Sequence, residues 1–168
     1  MKILVFSDSH GRIDNAKAVL EKLKQQVDMV FHLGDYDEDA VALHTLYPDI
    51  PFHYVKGNND FGRDTVSHKI VSAGGKRFLL THGHKQHVHY NFNTIAYWAE
   101  EQGADMVVFG HTHMPMNAES GRGYLFNPGS ITLPREGVTP TFGIITIENQ
   151  RIEGAIMEYT PKGEIKRR

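Results

Sequence analysis

Four apolar residues, Ile3-Leu4-Val5-Phe6, run directly into Ser7-Asp8-Ser9-His10, and the rest of the chain repeats this pairing of an apolar run with a polar loop. An apolar run bounded by glycine and polar residues is typical of a buried strand in an α/β sheet. Further runs of this kind lie at residues 29–33, 78–80 and 106–109, with a weaker one at 52–55. The loops that follow the runs are Gly34-Asp35, His82-Gly83-His84, Gly110-His111-Thr112-His113 and Gly57-Asn58-Asn59-Asp60.

These polar clusters consist of residue types that bind metal ions. Because the carboxyl ends of strands meet at the crevice where open α/β sheets bind their ligands, we expect the clusters to share one edge of the sheet. They would bring together about three carboxylate or amide oxygens and about four imidazoles. Such a set is large enough for two divalent ions that share a bridging carboxylate.

The bulk properties of the chain narrow the class of protein. The chain has 168 residues, a net charge of -2 and no cysteine. This length predicts a single domain, residues 1–168, with its own hydrophobic core. The charge gives no electrostatic support for a polyanion-binding surface, so a nucleic-acid partner is not favoured.

Without cysteine, any metal must be held by oxygen and nitrogen ligands. The apolar start is too short for a signal peptide and no run approaches a membrane span, so we expect a soluble, cytoplasmic protein with no membrane partner.

The order of the elements favours two sheets. Apolar residues at helical spacing predict helices over residues 13–26, 39–47 and 91–101. The strand-helix-strand order up to Val55 predicts parallel pairing, whereas Gly74-Gly75, Gly121-Arg122-Gly123 and Asn149-Gln150 are typical of hairpins. Parallel units first and hairpins later favour two packed sheets with helices outside them. The basic segment from Lys162 to Arg168 is predicted to be a solvated end.

Each candidate ligand has a chemical reason to bind metal and a plainer alternative. Asp8 and His10 stand two apart, on the same side of an extended segment, and would give one hard oxygen and one imidazole to the same ion. His111 and His113 repeat this spacing after Gly110, which lets the backbone turn sharply into the site. The alternative for Asp8 and His10 is a capping carboxylate beside a surface histidine.

The remaining candidates follow the same logic. Asp35 has the side chain that can bridge two cations with its two oxygens, or it alternatively caps a helix N-terminus. Asn58 offers a neutral carbonyl oxygen, although Gly-Asn-Asn-Asp is also ordinary turn chemistry. His82 ends a strong strand and could instead be a buried histidine with satisfied hydrogen bonds. Asp60 is expected to orient a neighbouring ligand.

The order of the clusters resembles that of the calcineurin-like metallophosphoesterase superfamily, whose pattern is Asp-x-His, Gly-Asp, Gly-Asn-His-Asp or Glu, a lone His, then Gly-His-x-His. Within that superfamily, the chain is similar to the small prokaryotic phosphodiesterases related to the vacuolar protein sorting 29 subunit of the retromer. The closer resemblance rests on Thr81-His82-Gly83-His84, Gly110-His111-Thr112-His113, Asn127-Pro128-Gly129-Ser130 and Pro134-Arg135. It extends from Lys2 to Ile147, which is most of the chain.

The resemblance implies both a fold and a ligand set. The fold is α/β, a four-layer α/β/β/α sandwich in which two mostly mixed β-sheets are flanked by helices. The implied ligands are Asp8, His10 and His113 for the first ion, Asn58, His82 and His111 for the second, and Asp35 as the bridge between them. Mixed imidazole, carboxylate and amide ligation accepts Mn²⁺, our first expectation, and also Ni, Fe, Co or Zn.

Two residues are candidates for catalysis beyond metal binding. Asn59 stands where the superfamily has a histidine proposed as proton donor; an amide can hydrogen-bond a phosphoryl oxygen but cannot deliver a proton at neutral pH. His84 could donate the proton or contact the phosphate, or it could be an exposed loop histidine. Without a general acid, good leaving groups should be cleaved much better than alkoxides. His87 and His89 are expected to be solvated loop residues.

These observations favour a metal-dependent phosphodiesterase that hydrolyses a small or activated phosphodiester by in-line attack of a metal-bridging hydroxide. One alternative is a non-catalytic protein-binding scaffold like the retromer subunit, although a pure scaffold has no physical need to keep all the ligands. Another is a nuclease, which the net charge does not favour. Tyr90, Tyr97 and Trp98 form a stripe that fits either a homo-oligomer interface or the aromatic margin of the core.

Overall fold

A computed structural model describes residues 1–62, 64–121, 123–135 and 139–168. In these residues the strands are β1 (Lys2–Phe6), β2 (Met29–His32), β3 (Phe52–Tyr54), β4 (His68–Ala73), β5 (Lys76–Thr81), β6 (Met106–Val108), β7 (Met116–Ser120), β8 (Gly123–Asn127), β9 (Thr141–Glu148), β10 (Arg151–Tyr159) and β11 (Ile165–Arg167). The helices are α1 (Asp14–Leu23), α2 (Asp37–Leu46) and α3 (Asn93–Glu101), and a 3-10 turn covers His84–Gln86. Each helix lies where the sequence predicts it, with ends shifted by up to three residues.

The strands form two mixed sheets. One sheet has six strands in the order β11-β10-β9-β1-β2-β3, and the other has five in the order β4-β5-β6-β8-β7. Strands β1, β2 and β3 are parallel, and so are β5, β6 and β8. The predicted hairpins β4–β5, β7–β8 and β9–β10 are antiparallel pairs. Arg122, at the tip of the second hairpin, lies outside the described residues.

An apolar cluster between the two sheets forms the centre of the molecule. It joins Ile3 and Val5 of β1 to Phe78 and Leu80 of β5, and all four side chains are completely buried. Successive side chains of a strand point to opposite faces, so the intervening residues of β1 and β5 must be buried against something else.

Helices cover those outer faces. Leu4 of β1 packs with Val19 of α1 and Leu43 of α2, whereas Leu79 of β5 packs with Ile95 of α3. The layers are therefore helices, six-stranded sheet, five-stranded sheet and helix, which confirms the predicted α/β/β/α sandwich. The longest helices in the described part of the chain have ten residues, and none of them could traverse a bilayer.

The end of the chain differs from the sequence-based expectation. Residues Ile165–Arg167 form β11, which pairs antiparallel with the outer edge of β10, a strand that the sequence analysis does not predict. The strand satisfies backbone groups that β10 would otherwise present at the sheet edge. Its basic side chains stay exposed, and Arg167 donates a hydrogen bond to Glu153 at 2.8 Å. A basic composition describes the side chains and says nothing about this backbone pairing.

Candidate metal centre

The predicted ligand clusters meet at one end of the sandwich, but they come from two sheets rather than one. Asp8 and Asp35 follow β1 and β2 of the six-stranded sheet, whereas His82 and His113 follow β5 and β6 of the five-stranded sheet. The expectation of a single sheet edge is therefore wrong. Face-to-face packing brings the two sets of carboxyl strand ends together, and the sequence near each cluster contains no information about that packing.

One compact group joins Asp8, His10 and His113, whose ligand atoms all lie within 4.8 Å of one another. His113 Nε2 is 3.2 Å from Asp8 Oδ1 and 3.2 Å from His10 Nε2. The other ring nitrogen, His113 Nδ1, lies 2.6 Å from the carbonyl oxygen of Leu133. A carbonyl only accepts hydrogen bonds, so Nδ1 bears a proton and Nε2 is the ring nitrogen that faces Asp8 and His10. Burial lowers the pKa of His113, but the contact with Asp8 more than offsets burial and raises that pKa above its ordinary value.

A second compact group joins Asp8, Asp35 and His82 within the same distance limit of 4.8 Å. His82 Nε2 is 3.3 Å from Asp35 Oδ1 and 3.9 Å from Asp8 Oδ1. It also lies 3.1 Å from the side-chain oxygen of Asn58. His82 Nδ1 is 2.7 Å from the carbonyl oxygen of Leu33, which again fixes the proton on Nδ1. A hydrogen bond from the far ring nitrogen to a carbonyl is the usual way in which proteins orient a metal-binding histidine.

Asp35, a member of the second group, also approaches the first. Its Oδ1 faces His82, and its Oδ2 is 3.8 Å from His10 Nε2. Asn59 holds this carboxylate, because its backbone N–H donates to Oδ1 at 3.0 Å and its side-chain amide donates to Oδ2 at 2.7 Å. The structure thus places the Asn59 amide on Asp35, whereas the sequence predicts a contact with phosphate. The position of Asp35 suits a carboxylate that serves both groups.

Asp60 ties the loop after β3 to the start of α2. Its Oδ1 accepts hydrogen bonds from the backbone N–H groups of Tyr36 at 2.7 Å and Asp37 at 2.9 Å, and its Oδ2 accepts one from Gly57 at 2.6 Å. The first N–H groups of a helix have no acceptor inside the helix. The contact explains why α2 begins at Asp37, earlier than predicted, and it agrees with an orienting role for Asp60 beside Asp35.

The two oxygens of Asp8, a fully buried residue, have different surroundings. Oδ2 accepts hydrogen bonds from the Ser7 hydroxyl and the His111 backbone N–H. Among the described residues, no hydroxyl or backbone N–H donates to Oδ1, which faces Nε2 of His113 and His82. Burial raises the pKa of Asp8, but the imidazoles of His113 and His82 more than offset it and lower that pKa below its ordinary value. A buried, ionised oxygen without a donor fits a cation ligand.

His111 lies beside the two compact groups and not within them. Its ring centre is 5.0 Å from that of His82 and 4.4 Å from that of His89. Burial, followed by the charges of His82 and His89, lowers the pKa of His111 to about 4. The ring is therefore neutral at physiological pH, which is the form in which imidazole binds a metal ion.

The loop after β5 brings two more histidines to this face. The ring centre of His84 is 5.4 Å from that of His82 and 6.0 Å from that of His111. Burial, then the charges of His82 and Lys85, lowers the pKa of His84. His89 is an exposed loop residue, as expected, and its ring also packs against that of His111, a contact that the sequence does not predict. No local pattern marks that contact, which depends on how the chain reverses after the 3-10 turn.

Left-handed backbone conformations are concentrated in the ligand loops. The φ angles are 56° for Asp8, 51° for His10, 52° for Asp35, 70° for His111 and 59° for His113. A non-glycine residue in this region costs roughly 1–2 kcal/mol, and such strain is typical of functional sites. Turns in the backbone therefore orient these side chains toward the metal centre. The expectation that Asp8 and His10 lie on one side of an extended segment is wrong for this reason.

Glycines leave room for the two carboxylates. A Cβ atom on Gly57 would overlap the carboxylate of Asp35, and one on Gly110 would overlap the Ser7 hydroxyl and crowd Asp8 Oδ2. Gly110 is not in the left-handed region, so the predicted sharp turn is not the reason for this glycine. The reason is the close approach of the loop after β6 to the loop after β1.

Comparison with known proteins identifies the family. The family model described as the calcineurin-like phosphoesterase superfamily domain matches residues 1–150. The chain is 38% identical over 151 residues to the "Probable metallophosphoesterase YsnB" of Bacillus subtilis (strain 168), with 89% of this chain and 86% of that protein covered. It is 27% identical over 172 residues to the "Phosphodiesterase YfcE" of Escherichia coli (strain K12), with 86% and 87% covered.

A solved structure supports the same fold. The wild-type Vps29 of Entamoeba histolytica, crystallised in complex with zinc, is similar with a TM-score of 0.83 at 24% identity, covering 100% of this chain and 97% of that chain. The sandwich, the family match and the named relatives together confirm the predicted resemblance and the predicted phosphoesterase class. The chain belongs to the calcineurin-like phosphoesterase superfamily.

Proposed function

We propose that this protein is a dinuclear-metal-dependent phosphodiesterase that hydrolyses a small or activated phosphodiester. The observation that carries the proposal is the convergence of carboxylate and imidazole atoms in two compact groups that share Asp8. The name of the relative YfcE supports the preference for a diester. The net charge of -2 supports a small substrate rather than nucleic acid. The lack of cysteine is compatible with the cytoplasmic location that we propose.

The proposed ligands keep the roles that the resemblance implies. They are Asp8, His10 and His113 for one ion, Asn58, His82 and His111 for the other, and Asp35 between them. This ligand chemistry suits Mn²⁺, with Ni, Fe, Co and Zn as alternatives. When bound, two such ions lower the pKa of a water molecule and neutralise charge on the phosphoryl oxygens.

The residues of the chain then have distinct tasks. The carbonyl groups of Leu33 and Leu133 fix the tautomers of His82 and His113, so that both Nε2 atoms face the centre. Asn59 holds Asp35 and, in this proposal, also contacts a phosphoryl oxygen through its exposed amide. Because its pKa is lowered, His84 is mainly neutral at pH 7. It would therefore contact the phosphate through an N–H group, with proton donation to the leaving group as the second role that we assign to it.

The test is metal-dependent hydrolysis of bis(p-nitrophenyl) phosphate by chelator-treated protein. We expect activity to return with Mn²⁺, and we expect Asp35→Asn and His82→Ala to lower kcat/KM by about 100-fold or more, since each removes a ligand. Replacing p-nitrophenol with an alkyl alcohol as leaving group should reduce the rate sharply, because the superfamily histidine is replaced by Asn59.

Matched controls separate catalysis from folding. Asp49→Asn and His68→Ala change the same residue types at exposed positions outside both compact groups, and both should keep full activity. Circular dichroism must show that all variants remain folded. Activity that survives both chelation and loss of Asp35 would refute the proposal. A folded protein that hydrolyses no phosphoester with any of the five metals would favour the scaffold alternative.

A further inference from the structure

A cavity of about 260 Å³ lies beside the metal centre and is not used by any of the roles above. Its lining includes His113, Arg135, Thr139, Thr141 and Arg168. Since His113 lines the cavity and also belongs to the first compact group, the cavity adjoins the metal centre. The volume suits a small polar substituent of a substrate rather than a macromolecular segment.

The lining of the cavity is positively charged. Its described lining residues include two arginines and no aspartate or glutamate. Arg168 is partly compensated, because its Nε lies 4.0 Å from Glu158 Oε1. Arg135 makes no ion pair with any residue in the described part of the chain. Its backbone N–H donates to the carbonyl oxygen of His113 at 3.4 Å, which keeps this uncompensated arginine next to the metal ligand.

The wall of the cavity also contains a buried hydroxyl that is not hydrogen-bonded. Thr141 is 1% exposed, and its Oγ1 has no hydrogen-bond partner in residues 1–62, 64–121, 123–135 and 139–168. The backbone N–H of Thr141 donates to the carbonyl oxygen of Ser130 at 2.9 Å, which fixes the backbone of the residue. Its hydroxyl packs against Gly129 and reaches the cavity by rotation about χ1. Buried hydroxyl groups are nearly always hydrogen-bonded in folded proteins. Within the described part of the chain, the same cavity is thus lined by an unsatisfied hydroxyl and by an arginine without an ion pair, which indicates a site for a polar ligand.

We propose that this cavity binds a second anionic group, a carboxylate or a phosphate, on the arm of the phosphodiester that is not the leaving group. The inference rests on the proposed phosphodiesterase function and names its substrate class. Arg135 supplies charge-assisted hydrogen bonds. Both a carboxylate and a phosphate have two or more acceptor oxygens that a guanidinium group can bind. Thr141 supplies a further hydrogen bond. The substrates of this protein therefore have at least one negative charge beyond that of the diester itself.

Three p-nitrophenyl phosphodiesters test the proposal, since they share a leaving group and differ only in the second arm, which is propyl, 2-carboxyethyl or 2-phosphonoethyl. For the wild type we expect KM to be about tenfold lower with an anionic arm than with propyl, at similar kcat. The arm with the lower KM shows whether a carboxylate or a phosphate is preferred. Arg135→Ala should remove the difference, and Arg135→Lys should restore part of it. Thr141→Val keeps the shape of the side chain and should weaken the preference by about threefold.

The control is Arg151→Ala, an exposed arginine at the start of β10 and outside the cavity lining, which should keep the full preference. Thermal unfolding checks that each variant is folded. Equal KM values for all three diesters in the wild type, or an unchanged preference in Arg135→Ala, would overturn the cavity proposal and leave the phosphodiesterase proposal intact. Failure of the metal-loaded wild type to hydrolyse any of the three would overturn both.

Discussion

Asp8→Asn should have opposite effects on stability in the absence and in the presence of metal. When His113 is neutral and no metal is bound, buried Asp8 Oδ1 has no donor among the described residues. It then lies 3.2 Å from His113 Nε2, while the single ring proton is on Nδ1. In the variant, the amide oxygen can replace Oδ2 and keep the hydrogen bonds from Ser7 and His111. The new NH₂ group can then donate to His113 Nε2. One added buried hydrogen bond contributes about 1 kcal/mol, so the metal-free variant should melt roughly 2–4 °C above the wild type.

Added metal should reverse the order of the two melting temperatures, so that the wild type melts above the variant. A ligand present at about 100 times its Kd stabilises the native state by about 2.7 kcal/mol. This raises the melting temperature of a chain of this size by roughly 5–10 °C. The variant lacks the charged oxygen that both compact groups share, so we expect it to lose this increase. Asp49→Asn, at an exposed position outside both groups, is the matched control and should behave as the wild type.

Differential scanning calorimetry measures all of these melting temperatures. The experiment uses chelator-treated protein with and without added Mn²⁺ at about pH 8.5. This is well above the ordinary pKa of histidine, and the margin is needed because the contact with Asp8 raises the pKa of His113. A metal-free variant that melts several degrees below the wild type would show that Asp8 Oδ1 has a stabilising partner, contrary to the hydrogen-bond argument. An equal metal-induced increase in both proteins would refute the assignment of Asp8 as a ligand.

Further predictions concern residues around the ligands. Asn59→Ala removes an amide donor to Asp35 and should weaken metal affinity by about 10- to 100-fold in isothermal titration calorimetry; an unchanged Kd would contradict this. Asp60→Ala leaves backbone N–H groups at the start of α2 without an acceptor and should lower the free energy of unfolding in urea by about 1–2 kcal/mol, whereas Asp49→Ala should not. Burial lowers the pKa of His32, so the unfolded chain binds a proton that the folded chain does not. The free energy of unfolding should therefore be highest above pH ~6.5 and fall below it, with a slope of up to about 1.4 kcal/mol per pH unit from this residue. His32→Gln should make that slope shallower, and an identical pH profile would rule out His32 as its source.

Local sequence was enough to predict the elements and the identity of the candidate ligands. Apolar runs such as 3–6 predict strands, because a strand that is buried on both faces needs continuous apolar residues. Gly74-Gly75 predicts a hairpin, and both glycines have the positive φ angles of such a turn. Asp8, Asp35 and His82 stand out because each directly follows a strand. Each of these signals lies within a few residues of the chain, so none requires knowledge of how distant segments pack.

Contacts between distant segments account for the rest. Asp60 meets the start of α2 across 23 to 24 residues, β11 pairs with β10, and His89 packs against His111. Sequence spacing indicates Asp8 as a ligand, but only the packing of the loop after β6 against the loop after β1 buries it and leaves Oδ1 without a donor. Such contacts depend on which faces of the two sheets are buried together. The faces that pack together are those whose burial removes the most apolar surface from water over the whole chain. A short segment of sequence does not determine that total.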